Sequence, residues 1–116
     1  MTTDTASPAS ILRQAAMHIR VRGHCQGRYE QRPEDGHGVC VFGALNLALV
    51  GSPSAHGRAF DHPAFESACK ALRSALGLRE VVGETVGVVA WNDRTCCTVD
   101  DAVNALERAA EIAEVL

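Results

Sequence analysis

The stretch SPASILRQAAMHIRVRG, residues 7–23, has the features of a complete helix. Ser7 is a favourable N-cap, and Pro8 suits the first helical position, where an amide hydrogen would have no partner. Apolar residues then recur every three or four positions and predict one buried stripe: Ile11, Leu12, Ala15, Ala16 and Ile19. Gly23 is placed to end the helix. We therefore predict a helix over residues 8–22.

The stretch VCVFGALNLALV, residues 39–50, is almost entirely apolar and precedes Gly51. Such a run fits either a buried strand or a buried helix, but its length and its Ala and Leu content favour a helix. A helix that is apolar on most of its faces is expected near the centre of a fold. We therefore predict a central helix over residues 39–50.

Two more helices follow from capping signals and helical spacing. Pro63 opens the third helix after a cap at Asp61 or His62, and Gly77 ends it. Thr98 caps the last helix, and acidic residues in the first turn of that helix complement its dipole. Apolar stripes along both helices predict that one side of each is buried.

Glycine-rich segments separate the predicted helices. Residues 24–38 and 51–61 are predicted loops, with a short β-ribbon around the turn at residues 36–38 as an alternative. Residues 78–97 include the β-branched run VVGETVGVV, which leaves a short β element near residues 81–90 open. The helices and loops together predict an all-α or mainly α fold.

Length and composition fit a single folded domain. The chain has 116 residues, of which 47% are hydrophobic and 22% are charged, as in ordinary globular proteins. We predict a flexible N-terminus at residues 1–7 and one compact four-helix domain over residues 8–116. No apolar run reaches the ~20 residues that cross a bilayer. The opening residues also lack the basic and apolar regions of a signal peptide, so we expect a cytoplasmic protein without membrane contact.

Charge is distributed unevenly along the chain. The net charge of −3 disfavours nucleic acid as a partner. Residues 1–32 carry five arginines against two acidic residues, whereas residues 98–116 carry one arginine against five acidic residues. Arg13, Arg20 and Arg28 form a small basic group. We favour a solvated face, or head-to-tail pairing with the acidic helix of a second copy, over weak DNA binding.

Five cysteines, an odd number, argue against a disulfide framework. Cys40 and Cys69 are predicted to be small core side chains. A zinc site is the first alternative, because zinc prefers Cys and His ligands and four of them flank one loop: His24, Cys25, His37 and Cys40. Cys96 and Cys97 could join them. No Cys-x-x-Cys pair accompanies them, so we predict no cofactor and keep zinc as the alternative.

Cysteine catalysis is the second alternative. Cys40 lies near the start of a predicted helix, where the dipole can lower the pKa of a thiol. His56 or His62 would then act as the base, and Asn92 or Asp93 would orient it. The apolar neighbours Val39 and Val41 instead predict that Cys40 is buried, so we favour a protein without a catalytic site.

The tripeptide Trp91-Asn92-Asp93 precedes the last helix. Trp91 is the one indole of the chain and is predicted to anchor the core. The Asn92 and Asp93 side chains can satisfy backbone amides in a tight turn. In the alternative interpretation, a rigid loop presents these groups, with Tyr29, to a ligand or a protein partner.

Three motifs occur in order: Gly-x-x-x-Gly-x-Tyr at residues 23–29, Cys-x-x-Gly-Ala at residues 40–44 and Trp-Asn-Asp at residues 91–93. This order resembles an uncharacterised family of small proteins from actinobacteria and their phages. The chain departs from the family pattern at His24, where an aromatic residue is usual. It departs again after Asp93, where Pro-Gly-Arg-Thr is usual. The resemblance implies no known activity but does imply an accessory or host-directed role.

These observations predict a small, non-enzymatic, phage-encoded protein that modulates a host protein by binding it. The predicted contact surface is the loop at residues 24–38 with the basic side of the first helix, or the loop at residues 51–61. Self-association into a homo-oligomer is a further expectation for so short a chain. The alternative functions are a Cys40-centred enzyme or ligand-binding domain and a weak DNA-binding protein.

Overall fold

The computed structural model describes residues 7–26, 36, 38–51, 63–77, 91–93 and 98–115. Four α-helices contain most of these residues: α1 Pro8–Arg22, α2 Val41–Val50, α3 Pro63–Leu76 and α4 Val99–Glu114. Residues 91–93 form a further helical turn. Across the described ranges the β structure consists of one isolated bridge. The predicted mainly α fold is confirmed.

Helix α1 begins and ends where its capping residues predict. The Ser7 hydroxyl accepts a hydrogen bond of 3.1 Å from the Ser10 amide, and Pro8 occupies the first turn. At the other end, the Gly23 amide donates to the Ile19 carbonyl at 2.7 Å. Gly23 has φ of +94°, a conformation that side chains with a Cβ rarely adopt. The helix therefore stops at this residue, and the chain turns into an extended segment.

Helix α2 starts two residues later than the apolar run predicts. Val39 is not helical, because it pairs with His24 in a parallel β-bridge. The Cys25 amide donates to the Val39 carbonyl at 3.1 Å, and the Val39 amide donates to the Gly23 carbonyl at 2.9 Å. Cys40 is the N-cap of α2, and its sulfur accepts a hydrogen bond of 3.2 Å from the Gly43 amide.

The bridge is the β structure found among the described residues on either side of the turn at residues 36–38, whereas most of the residues of the β-ribbon considered there lie outside the described ranges. It joins the segment that follows α1 to the segment that precedes α2, and the loop separates these two segments in sequence. A Cβ built on Gly23 would lie 3.9 Å from the Gly38 Cα, which is ordinary contact, so φ and not crowding makes glycine the favoured residue at position 23. The first and second helices are thereby connected by backbone hydrogen bonds as well as by packing.

Helices α3 and α4 also follow their sequence signals. Gly77, with φ of +69°, ends α3. The Thr98 hydroxyl caps α4 by accepting a hydrogen bond of 3.0 Å from the Asp101 amide. The predicted cap of α3 at Asp61 or His62 and the β element near residues 81–90 lie outside the described residues.

Helix α1 is the centre of the packing, because it contacts α2, α3 and α4, whereas α3 additionally contacts α4. The first six residues of α2 are buried, but Val50 at its end is exposed, and α2 is not the hub that its composition suggests. Much of the core consists of alanine, and α1 and α4 alone contribute five fully buried alanines: Ala15, Ala16, Ala102, Ala109 and Ala110. Such small side chains allow helices to approach closely and leave little room for a larger residue.

Aromatic packing connects α2 to α3. The Phe42 and Phe65 rings have centroids 5.9 Å apart and are tilted by 31°, a favourable arrangement for two aromatic side chains. Within the described ranges, no helix combines the length and the apolar character that a membrane span requires.

The alanine core makes a direct prediction. Replacing Ala16 by Leu should lower the free energy of unfolding by about 1–3 kcal/mol, because Ala16 is fully buried and the added methylene groups have no space. The matched control is Met17→Leu, because Met17 is the next residue of the same helix and is 61% exposed. Urea denaturation of both variants checks this, and equal small effects would show that the core is loosely packed.

Candidate functional site around Asn92

A polar cluster forms where the end of α1, the start of α2 and the helical turn at residues 91–93 meet. We call it the Asn92 cluster, after the residue at its centre: His24, Cys25, Gln26, Cys40, Asn92 and Asp93. Asn92 is only 2% exposed, and Cys25 and Cys40 are also buried. His24 and Asp93 are half-buried, whereas Gln26 is exposed. The cluster thus extends from the interior to the surface.

The Asn92 side chain uses all of its hydrogen-bonding capacity. Its oxygen accepts a hydrogen bond of 3.0 Å from the Val41 amide and lies 2.8 Å from His24 Nε2. Its nitrogen donates to the Cys25 carbonyl at 3.3 Å and to the Asp93 carboxylate at 2.9 Å. An amide side chain offers two acceptor and two donor positions, so none is left for a ligand.

These contacts also determine which Asn92 side-chain atom is the oxygen and which nitrogen of His24 donates a hydrogen bond. The Val41 amide can only donate, so the atom that faces it must be the amide oxygen. That oxygen carries no hydrogen, so His24 Nε2 must donate to it. A neutral His24 therefore carries its hydrogen on Nε2. Asn92 in this way orients the imidazole ring as well as the backbone.

The backbone of residue 92 is held in the same way. The Gln26 side chain donates to the Asn92 carbonyl at 3.1 Å. Three successive residues that follow Gly23 therefore contact Asn92. His24 and Gln26 do so through their side chains, and Cys25 does so through its carbonyl. The cluster fixes the turn at residues 91–93 against the end of α1.

Two groups of the cluster also satisfy the first amides of α2. Asn92 accepts from Val41, and the Cys40 sulfur accepts from Gly43. Amides in the first turn of a helix have no partner within the helix, and leaving them buried without one is costly. Asn92 and Cys40 therefore act together as the cap of α2.

Burial raises the pKa of the Cys40 thiol from 9.0 to about 11. The nearby Cys25 and Asp93 groups raise this pKa further, whereas hydrogen bonds from the Gly43 and Phe42 amides lower it. The thiol is the dominant form at neutral pH, whereas a nucleophile requires the thiolate. The geometry gives Cys40 a capping role and does not favour the catalytic alternative.

The structure brings together some of the residues that the sequence singled out. Cys25, Cys40, Asn92 and Asp93 share the cluster, and Trp91 stands half-buried beside it. Arg28, Tyr29, His37 and His62 lie outside the described residues, so a zinc site that includes His37 and a base at His62 stay predictions. Across the described ranges, no group of three His, Cys, Asp or Glu side chains is arranged to hold a metal ion.

Sequence reasoning missed two members of the cluster as partners of Asn92. His24 figured only as a possible zinc ligand and as a departure from the family pattern, and no role was predicted for Gln26. The contact between His24 and Asn92 joins positions 68 residues apart, so no local pattern could reveal it. The one available signal was the placement of His24 and Gln26 directly after the glycine that ends α1.

The basic side of α1 is matched by acidic residues of α4. Arg13 contacts Glu114 at 2.8 Å, and Arg20 contacts Glu107 at 3.1 Å. The hydrogen bond with Glu114 raises the pKa of Arg13, and the same contact lowers the pKa of Glu114. The pairing of basic and acidic helices that we considered between two copies thus exists within one chain. Such exposed pairs contribute little stability.

The sequence pattern of a family of unknown function, DUF6197, matches residues 3–112. The chain therefore belongs to this family, which confirms the resemblance to an uncharacterised family. Comparison with curated proteins gave no match, and comparison with solved structures gave none. The function must accordingly be inferred from the residues themselves.

Asn92→Ala should lower the free energy of unfolding by about 3 kcal/mol, because the substitution leaves the buried Val41 amide and Cys25 carbonyl without this partner. Asn104→Ala is the matched control, since Asn104 is exposed on α4 and should change stability by less than about 0.5 kcal/mol. Urea denaturation measures both. Similar small losses in the two variants would contradict the structural role of Asn92.

The raised pKa of Cys40 predicts a loss of stability at alkaline pH. The folded protein holds the Cys40 proton more tightly than the unfolded chain, so folding is unaffected by this group below pH 9.0. As pH rises from 9.0 to about 11, the unfolded chain ionises first and the free energy of unfolding falls, by up to about 3 kcal/mol.

Cys40→Ser removes this titration but keeps a capping side chain at the start of α2. The difference in free energy of unfolding between the wild type and this variant should therefore be constant below pH 9.0 and change between 9.0 and about 11. Denaturation at several pH values checks this. A difference that is independent of pH over the whole range would show that Cys40 ionises as easily in the folded state as in the unfolded chain.

Proposed function

We propose that this member of a family without an assigned function is a small, non-enzymatic cytoplasmic protein that binds another protein through the exposed side of α1. The observation that carries the proposal is a pair of exposed apolar side chains one helical turn apart. Met17 is 61% exposed and Val21 is 83% exposed. Their neighbours on this side are polar, and we call the set the α1 strip: Arg13, Gln14, Met17, Arg20 and Val21.

The spacing of the α1 strip suits a protein contact. Residues four positions apart lie on the same side of a helix, so Met17 and Val21 form one continuous apolar area. Single exposed apolar residues are common, but adjacent ones with a polar rim are typical of contact sites. Met side chains adapt readily to an opposing surface. The strip thus has an apolar centre and a polar edge.

An open groove continues the strip toward the start of α1. It has a volume of about 570 Å³ and is lined in part by Ser10, Arg13, Met17 and Glu114. A small-molecule site buries most of its ligand. A groove open to solvent, between α1 and the end of α4, suits a side chain of a protein partner better than a small molecule.

Charge favours a protein over nucleic acid as the partner. A phosphate approaching Arg13 or Arg20 would also approach Glu114 or Glu107, whose carboxylates lie 2.8 and 3.1 Å from those arginines. Burial, and to a lesser extent Arg22, lowers the pKa of His18, which therefore adds little positive charge at neutral pH. The partner that fits is a protein with apolar side chains at its contact.

The resemblance of the three sequence motifs to proteins of actinobacteria and their phages supports a narrower proposal. We propose that the chain is phage-encoded and that its partner is a protein of an actinobacterial host, which it modulates by binding. The α1 strip includes Arg13 and Arg20, which belong to the basic side of the first helix that we predicted from sequence as a contact surface.

Site-specific photocrosslinking tests the proposal. A photoreactive amino acid at position 17 or 21 should produce the same adduct with one host protein in an actinobacterial lysate. The matched control positions are 70 and 74 of α3, which are exposed and also one turn apart, and they should not produce this adduct. Excess wild-type protein should suppress the adduct, whereas excess folded Met17→Glu/Val21→Glu protein should not.

Three results would overturn the proposal. Adducts of equal yield from positions 17, 21, 70 and 74 would show that the α1 strip has no special affinity. An adduct with a second copy of the chain would identify self-association as its role. Duplex DNA binding with a steep salt dependence, lost in Arg13→Gln/Arg20→Gln, would place the protein in the DNA-binding class.

A further inference from the structure

We infer that Cys25 and Cys40 form a redox-active dithiol, a site at which a small disulfide such as oxidised glutathione converts both thiols into one intramolecular disulfide. The inference rests on the β-bridge that places the two residues side by side. It does not depend on the proposed protein partner.

The register of the bridge brings the two cysteines together. His24 pairs with Val39 in parallel, so the next residues along each segment, Cys25 and Cys40, follow in register. The Cys25 amide is bound to the Val39 carbonyl at 3.1 Å, and Cys40 has an extended backbone with φ of −78° and ψ of 172°. The bridge thus holds the Cys25 amide directly, and Cys40 leaves the bridge with an extended backbone.

Strand geometry then sets the separation and the direction of the side chains. Paired strands lie ~4.8 Å apart, and residues in register point to the same face. A disulfide requires Cα atoms roughly 4.4–6.8 Å apart with side chains on a common side. Cys25 and Cys40 share the face opposite to that of His24 and Val39, so the register meets both conditions.

Burial and electrostatics agree with this placement. Cys25 and Cys40 are 6% and 7% exposed, so both belong to one buried region that retains slight access to solvent. Charge on Cys25 raises the pKa of Cys40, as expected for two thiols near one another. Cys69 on α3, which is 1% exposed, is not among the groups that raise the pKa of Cys40. It is therefore a buried cysteine with which the pair can be compared.

The chemistry is thiol–disulfide exchange in two steps. One cysteine attacks a sulfur of the small disulfide in its thiolate form, which for Cys40 is a small fraction at neutral pH, forms a mixed disulfide and releases one small thiolate. The second cysteine thiolate attacks the protein sulfur of the mixed disulfide, closes the Cys25–Cys40 bond and releases the second small thiolate. The two protons lost by the cysteines are taken up by the two small thiolates. The protein is oxidised by two electrons, and the small disulfide is reduced to two thiols.

The bond would fix both ends of the segment between the two cysteines. Residues 26–38 belong to the loop that the sequence predicted as a contact surface, and the disulfide would enclose them, together with Val39, in a covalent loop. The sulfur of Cys40 would also change from a thiol to a disulfide beside the first turn of α2. Oxidation would therefore act on the Asn92 cluster and on that loop together.

Equilibration with glutathione redox buffers tests the inference. The protein is Cys69→Ala/Cys96→Ser/Cys97→Ser, which leaves only the proposed pair, and circular dichroism first verifies that it is folded. We expect the intact mass to fall by two hydrogen atoms and a proteolytic digest to contain a Cys25–Cys40 linked peptide. The equilibrium constant for oxidation should be at least tenfold larger in native buffer than in urea, because the fold holds the thiols together.

The wild-type chain, with all five cysteines, provides a second measurement should the triple variant be unfolded. Disulfide mapping after the same equilibration should give the Cys25–Cys40 link as the main product, without a Cys69 link. The inference is overturned if the pair stays reduced or binds only single glutathione molecules. It is also overturned if oxidation is no more favourable in native buffer than in urea, or if the main links are intermolecular.

Discussion

The four hydrogen bonds of the Asn92 amide are the interaction on which the site depends. They join three parts of the chain: the segment after α1, the start of α2 and the helical turn at residues 91–93. Each contact gives a hydrogen-bond partner to a polar group, and burying such a group without a partner costs free energy. Because the amide is fully used, Asn92 organises the surrounding surface and does not itself bind a ligand.

The cluster also accounts for the way α1 and α2 are joined. Gly23 turns the chain out of α1, the β-bridge pairs the next residues with Val39, and Cys40 and Asn92 together cap α2. The Asn92 oxygen and the Cys40 sulfur therefore both have a capping role at this place. The cysteine that looked most like a nucleophile is a buried capping residue with a raised pKa.

The fold could be predicted from sequence wherever a local signal determines it. Ser7 with Pro8 marks the start of α1, and Thr98 marks the start of α4, because a cap acts within one turn of itself. The predicted start of α2 was wrong because an apolar residue such as Val39 fits a buried strand as well as a buried helix. Only its pairing with His24, fifteen positions away in the numbering, decides between them.

The site could be predicted only in part, because its contacts join distant positions. Trp91-Asn92-Asp93 was recognised as a structural turn, but the partners His24 and Gln26 precede it by more than sixty residues. Similarly, the uneven charge distribution was visible in the sequence. That Arg13 and Arg20 meet Glu114 and Glu107 of their own chain follows from the packing of α1 against α4, which no single segment specifies.

Functional inference then turns to the surface that the fold leaves exposed. The apolar centre of the α1 strip lies on the helix that contacts the three other described helices, so a partner bound there would contact the centre of their packing. The Asn92 cluster lies at the end of the same helix. Binding on α1 and redox chemistry at Cys25 and Cys40 would thus act on neighbouring parts of one rigid unit.

Native-state hydrogen exchange tests the central claim, that Asn92 makes the start of α2 part of the cooperative core. The amides of Val39 and Val41 should open with the same free energy as the amide of Ala16 in the middle of α1, and with the same dependence on denaturant. That result would show that these residues exchange only when the whole protein unfolds. A Val41 amide that exchanges through a low-energy local opening, insensitive to denaturant, would contradict the account.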